Sequence, residues 1–96
     1  MSAALSAEQA RAKLAGLSGW ELAADAKSIG RAFSFDSYAA GLAFVNAVAA
    51  VAQKENHHPD IELLYKKVKV VFSTHDVDGL SERDFSCAAK VSGLKA

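Results

Sequence analysis

Three histidines are the residues of this chain best suited to chemistry. Two are adjacent in His57-His58-Pro59, and the third is His75. Imidazole gives and accepts protons near neutrality, with an unperturbed pKa of about 6.5. A reaction that expels a poor leaving group while losing a proton elsewhere needs such groups on opposite sides of one substrate. Pro59 disfavours a helical conformation at His58, so this segment is predicted to be extended, with its two imidazoles diverging. If that loop lies beside the end of the strand carrying His75, then His75 faces one of the pair across a cleft.

Taken singly, each histidine has a plainer reading. His57 or His58 can complement the negative end of a helix, and His75 can be a solvated strand-end residue. The three together favour proton transfer. A zinc site is the weakest reading and no metal is expected. Adjacent residues of an extended segment point apart, and no cysteine or carboxylate pattern completes a ligand set.

Asp84 follows Ser81 by three residues, the spacing of a capping-box partner; it can also orient a histidine near the start of that helix. Tyr65 can donate from its hydroxyl, although tyrosine in a strand more often packs. Cys87, in an Ala-rich helix, reads as a small buried residue. Trp20 can stack on a flat ligand, but core packing is the favoured reading. The chain has no Gly-rich phosphate loop.

These residues need elements to position them. Ser6 is a good N-cap, and Gln9 completes a capping box for a first helix through Ala10, Leu14 and Leu17. Gly16, Ser18 and Gly19 stop it. Trp20 to Ala23 and Gly30 to Phe35 read as short strands around a turn at Asp25-Ala26-Lys27-Ser28. Asp36 is expected to cap a long helix from Ser37 to about Glu55. Its apolar stripe runs through Leu42, Val45, Ala49 and Ala52, widened by Phe44, Val48 and Val51. Gly41 costs about 1 kcal/mol there relative to Ala and permits close packing.

Asn56 to Asp60 is a break. Ile61 to Lys66 suggests a strand, and Lys67 to Thr74 is a clearer one. Val68, Val70, Phe72 and Thr74 point one way, opposite Lys67, Lys69, Val71, Ser73 and His75. Asp76 to Gly79 is a turn, and Ser81 opens a last helix carrying Phe85, Ala88 and Ala89. The order α-β-β-α-β-β-α predicts an α+β fold, a four-stranded antiparallel sheet with helices packed on one face.

The chain has 96 residues, which suits a single domain over 1–96. Its 51% hydrophobic and 23% charged composition is that of an ordinary globular domain. Eleven basic residues balance eleven acidic ones. That removes the usual electrostatic argument for nucleic acid and any simple charge barrier to self-association. Cys87 is the sole cysteine, which fits a reducing compartment. The start Met1-Ser2-Ala3-Ala4-Leu5-Ser6 lacks the basic region and apolar run of a secretory signal. The longest apolar run, Ala47 to Ala52, is too short to span a bilayer. A cytoplasmic location without membrane association is the expectation.

The residues His57-His58-Pro59-Asp60-Ile61, Tyr65, Thr74-His75-Asp76 and Gly79-Leu80-Ser81-Glu82-Arg83-Asp84 resemble the signature of the pterin-4a-carbinolamine dehydratase family. Five residues lie between Pro59 and Tyr65, nine between Tyr65 and His75, and eight between His75 and Asp84. Phe33-Ser34-Phe35, Tyr38 and Gly41 to Val45 are similar to the family's second strand and long helix, and Leu17 to Trp20 to its Gly-Trp segment. One position departs. Where the family commonly has Glu, four residues before the histidine pair, this chain has Gln53. An amide does not ionise, although it can still hydrogen-bond a histidine.

The resemblance implies a reaction. A 4a-hydroxytetrahydropterin, left by aromatic amino acid hydroxylases, loses water to give quinonoid dihydropterin. No redox cofactor or metal is implied, the pterin being the substrate. His57 and His75 are the implied acid–base pair, and His58 binds the pterin and shares the work. Asp84 holds a site histidine, while Tyr65 and Gln53 support the site. Replacing His57 or His75 with Ala is expected to slow the reaction at unchanged stability. The resemblance also implies homodimers, or homotetramers in some members. An alternative is a weakly active member that serves as a protein-binding or dimerisation cofactor, as animal members do for a homeodomain transcription factor.

Overall fold

The computed structural model describes residues 3–95. Met1, Ser2 and Ala96, and with them the first two residues of the leader reading, lie outside the described residues. The elements run in the expected order. They are α1 (Ala7–Leu14), β1 (Glu21–Leu22), β2 (Ile29–Ser34), α2 (Tyr38–Glu55), β3 (Asp60–Leu64), β4 (Lys67–Phe72), a 3-10 turn at His75–Val77, and α3 (Glu82–Lys95).

The strands form one antiparallel sheet in the order β1-β2-β4-β3. The chain leaves β2, crosses through α2, and returns as β3 at the edge before β4 fills the gap. Register follows the alternation of side chains. Phe33 pairs with Val68 and Arg31 with Val70, while Glu62 pairs with Lys69 on the opposite face. Val68, Val70 and Phe72 are fully buried, and Lys67 and Lys69 are exposed. Their period of two puts the helices on one face.

The core is built from that face. Ile29, Phe33, Phe44, Val48, Leu80, Phe85 and Val91 join the β4 residues in one buried cluster. Each such side chain contributes about 1.5–3 kcal/mol on burial. The Phe33 and Phe44 ring centroids are 4.7 Å apart. Trp20 lies edge-on to Phe33 and gives its indole N–H to Ser92 Oγ at 2.7 Å, so the core reading of Trp20 holds.

Two expectations for α2 change. Its N-cap is Ser37, not Asp36: the extended Ser37 accepts the Ala40 N–H on its Oγ at 3.1 Å. Asp36 stands one residue too early to do so. The buried stripe is Gly41, Phe44, Val48 and Ala52, whereas Leu42 is 45% exposed and Ala49 is exposed. The larger Phe44 and Val48 take the sheet-facing positions. A Cβ on Gly41 would stand only 3.3 Å from Leu63 and 3.4 Å from Val68, so the missing side chain brings α2 close to the sheet.

β4 also ends earlier than expected, at Phe72. Thr74 forms an isolated bridge to Gly79, its N–H donating to the Gly79 carbonyl at 2.7 Å. That bridge folds the intervening residues into a 3-10 turn ending on Asp78, which adopts the left-handed conformation. His75 therefore opens this turn rather than ending a strand.

Candidate functional site

The ends of three elements meet at one side of the molecule: the C-terminus of α2, the exit of β4 and the first turn of α3. Asn56 terminates α2 in the left-handed conformation (φ 52°), which asparagine tolerates better than most residues. The chain turns there, and His57 points inward while His58 points out. His57 is 7% exposed, and its ring lies nearly parallel to Phe72, with centroids 5.8 Å apart. His58 is exposed, and its Nε2–H donates to Gln53 Oε1 at 2.8 Å. The predicted divergence of the two imidazoles is present.

Asp84 is completely buried. Its Oδ1 lies 2.6 Å from His57 Nε2. Its Oδ2 accepts the Thr74 hydroxyl at 2.7 Å and the Ser81 backbone N–H at 2.9 Å. Both readings of Asp84 are thus realised in one side chain. It caps α3 through the Ser81 N–H, and it holds a histidine. The capping box lacks its other half, because Ser81 Oγ turns instead to Thr74 Oγ1 at 2.7 Å. Among the described residues no buried side-chain nitrogen or oxygen lacks a partner, as a buried polar cluster requires.

Two clamps fix α3 against the end of α2. Arg83 Nη2 donates to the Asn56 carbonyl at 2.8 Å. Lys90 Nζ pairs with Glu55 Oε1 at 2.9 Å, and this hydrogen bond holds the Glu55 carboxyl below its ordinary value. Cys87 is buried beside them, 2% exposed, and burial pushes its thiol up. That supports the reading of Cys87 as a packing residue.

The open side of this junction is a cleft of about 520 Å³. Its lining includes His57, His58, His75, Asp60, Asp76 and Arg83. All three histidines therefore line one cavity, from stretches separated by β3 and β4. His75 is exposed at its mouth. A second groove, on the helix-free face of the sheet, is lined by residues such as Gly30, Ala32, Lys67 and Lys69 and by no histidine.

Tyr65 is not brought to the cleft. It sits on the β3–β4 turn, 72% exposed, at the far end of β3 from Asp60. With strands rising about 3.3 Å per residue, the length of β3 separates it from the histidines. Gln53 joins the site through His58 alone. Sequence reasoning missed Thr74 and Arg83 as site residues. The inward parity of Thr74 along β4 was visible, but its partner becomes apparent only once the turn to Gly79 closes. The expectation of unchanged stability on replacing His57 is also revised. Its ring is buried and is a partner of Asp84, so removing it disturbs the fold, whereas His75 is exposed.

Three histidines line this cleft, and comparison with known proteins gives the chain's family. The family model described as pterin 4 alpha carbinolamine dehydratase matches residues 3–94. This chain belongs to the pterin-4-alpha-carbinolamine dehydratase family. Family relatives provisionally named pterin-4-alpha-carbinolamine dehydratase occur in Stenotrophomonas maltophilia and Xanthomonas campestris. They are 54% and 57% identical to it over 76 residues, which is 79% of this chain. The chain spans 66% and 64% of those relatives' own lengths. A crystal structure of a transcriptional coactivator/pterin dehydratase from Brucella melitensis superposes with TM-score 0.91 at 28% identity, covering 97% of this chain and 99% of that one. A pterin dehydratase-like protein identified as a RuBisCO assembly factor in the alpha-carboxysome superposes with TM-score 0.69 at 25% identity, covering 81% and 90%. Among the described residues no helix is long and apolar enough to cross a membrane.

Proposed function

We propose that this family member dehydrates a 4a-hydroxytetrahydropterin to quinonoid dihydropterin. The observation that carries the reading is that three histidines from two distant stretches of chain line one open cleft, with one of them held by a buried carboxylate. The N5 lone pair expels the 4a-hydroxyl as water when an acid protonates that oxygen. A base removes the N5 proton, and the C4a–N5 double bond forms. His57 and His75 are the acid–base pair in this proposal, and His58 binds the ring system and shares the proton work. Asp84 holds His57, and Gln53 holds His58. The chemistry calls for no metal or redox group, and the pterin itself is the substrate. A place in the cytoplasm beside an aromatic amino acid hydroxylase fits this substrate.

The test is the absorbance decay of carbinolamine as a hydroxylase generates it. The reading expects faster decay when this protein is added, and no acceleration would overturn it.

A second reading is a protein-binding role. It is favoured by Gln53 in place of the family's usual Glu, and by the coactivator and assembly-factor names of the two superposed structures. Retention of three histidines in one cleft favours catalysis, because a scaffold has no need of them.

We also propose that the chain self-associates. Tyr38 and Leu42 on α2 are 50% and 45% exposed, and β1 and β3 are the sheet's outer strands. A light-scattering mass of two or four chains supports this, and a mass of one chain contradicts it.

A further inference from the structure

The dehydratase reading uses His57 and Asp84 and leaves Thr74 and Ser81 without a role. Thr74 is 5% exposed, borders the same cleft, and binds the other oxygen of the Asp84 carboxylate from the one that meets His57; the reading above gives it no substrate contact. Its hydroxyl has one proton to give. An ionised carboxylate only accepts, so that proton goes to Asp84 Oδ2 at 2.7 Å. Ser81 Oγ, 2.7 Å from Thr74 Oγ1, must then be the donor in that second contact. The result is a one-way chain: Ser81 O–H to Thr74 O–H to Asp84, with the Ser81 N–H closing on the same Oδ2.

The backbone anchors the two hydroxyl residues. Thr74 is held by its paired hydrogen bonds with Gly79, and its β-branched side chain has few rotamers to choose from. Ser81 is the residue before α3. Two donors on Oδ2 restrain the carboxylate and leave Oδ1 for His57. That oxygen accepts a hydrogen bond from His57 Nε2–H, so a neutral ring carries its hydrogen there and keeps a lone pair on Nδ1.

We propose that Thr74 is a positioning residue: by holding Oδ2 it keeps Oδ1 of Asp84 aimed at His57 Nε2, which fixes the ring with Nδ1 available for proton transfer. This rests on the dehydratase reading for its consequence on rate, but its structural content stands apart.

Two readouts on Thr74→Val, which keeps the shape and removes the hydroxyl, test it. One is the long-range proton–nitrogen NMR correlation of the His57 ring. The other is the rate of carbinolamine decay. Wild type is expected to show a single Nε2–H tautomer. Thr74→Val leaves Oδ2 with the Ser81 N–H alone, so it is expected to keep that tautomer with shifted ring-nitrogen resonances from a looser Nε2–H bond, and a rate lower by ~10–100-fold, the range found when outer partners of metal-held histidines are removed. Thr74→Ser is expected to recover most of both. If Thr74→Val does not fold, Thr74→Ala decides by the same readouts, since it adds no atom.

An unchanged His57 spectrum in a folded hydroxyl-free variant overturns the proposal. So does a hydroxyl-free variant as fast as an active wild type, or equal losses in the Ser and Val variants. If wild type itself does not accelerate the decay, the dehydratase reading fails, and the spectrum alone decides on Thr74.

Discussion

His57 Nε2 and Asp84 Oδ1 lie 2.6 Å apart although 27 residues separate them in the chain. The contact joins the loop after α2 to the first turn of α3 in a buried setting. Asp84 caps the helix with one oxygen and holds the imidazole with the other. Local folding and site geometry therefore depend on the same carboxylate.

Asp84→Asn separates these two duties. The amide has one oxygen, and the Ser81 N–H and Thr74 O–H both call for it. Its NH₂ then faces His57, which must accept at Nε2 and carry its proton on Nδ1. The cap is kept, so the loss of stability is expected to be about 1–2 kcal/mol. The rate of carbinolamine decay is expected to fall by at least ~10²-fold. Thermal unfolding and the decay assay, run on the same preparation, check the pair of outcomes. A full-rate Asn variant would show that the charge on Asp84 has no part in catalysis.

Gln53→Glu tests the family departure. His58 Nε2–H donates to Gln53 Oε1 at 2.8 Å on the surface, and a carboxylate keeps that acceptor while adding charge. Charge-assisted hydrogen bonds are stronger than neutral ones, but solvent screens an exposed pair. A gain of about two- to fivefold in rate is expected, with lower salt enlarging it. No change in rate or in its pH profile would assign this position a purely structural role.

The Glu55–Lys90 pair predicts acid sensitivity at the α2–α3 junction. The Lys90 hydrogen bond lowers the Glu55 carboxyl from its ordinary value of 4.5, so the folded state favours the ionised form. The contribution is fully present above the ordinary value and is lost as pH falls through the lowered one. Melting temperatures taken from pH 6 down to pH 3 should fall less steeply in Lys90→Met than in wild type. Parallel curves would remove this pair from the acid response.

Cys87 predicts the opposite pH direction. Burial first, and the nearby Glu55 carboxylate second, raise its thiol above the ordinary 9.0. The unfolded chain therefore releases that proton first, and this group's contribution is full below pH 9.0 and falls as pH rises past it. At neutral pH the native thiol is expected to react with a thiol-specific dye many times more slowly than in denaturant. Equal rates would place Cys87 at the surface.

Much of this architecture was readable because its signals are local. Ser6 and Gln9 form the capping box of α1 as their spacing predicts, and the alternation of Val68, Val70 and Phe72 gave the buried face of β4. The histidine pair diverges as expected, one ring on Asp84 and the other on Gln53. Less was readable where the outcome depends on distant partners. Ser37 and Asp36 are both good caps, and only the entry angle of α2 separates them. The stripe on α2 turned toward Phe44 and Val48 because sheet residues beyond the helix choose which side chains they accept. Tyr65 has the spacing of the family signature, but spacing says nothing of direction, and β3 carries it away from the cleft. Thr74 read as an inward strand residue, and its bond to Asp84 depends on a turn and a helix that come later in the chain.

The most direct measurement is the decay of 4a-carbinolamine with wild type and with His75→Ala. His75 is exposed at the cleft mouth, so the variant should melt with wild type. Wild type should speed the decay, and the variant should lose ~10²–10⁴-fold of that acceleration, the range supplied by one positioned proton donor or acceptor. A wild type without effect, or a folded variant just as fast, would contradict the account.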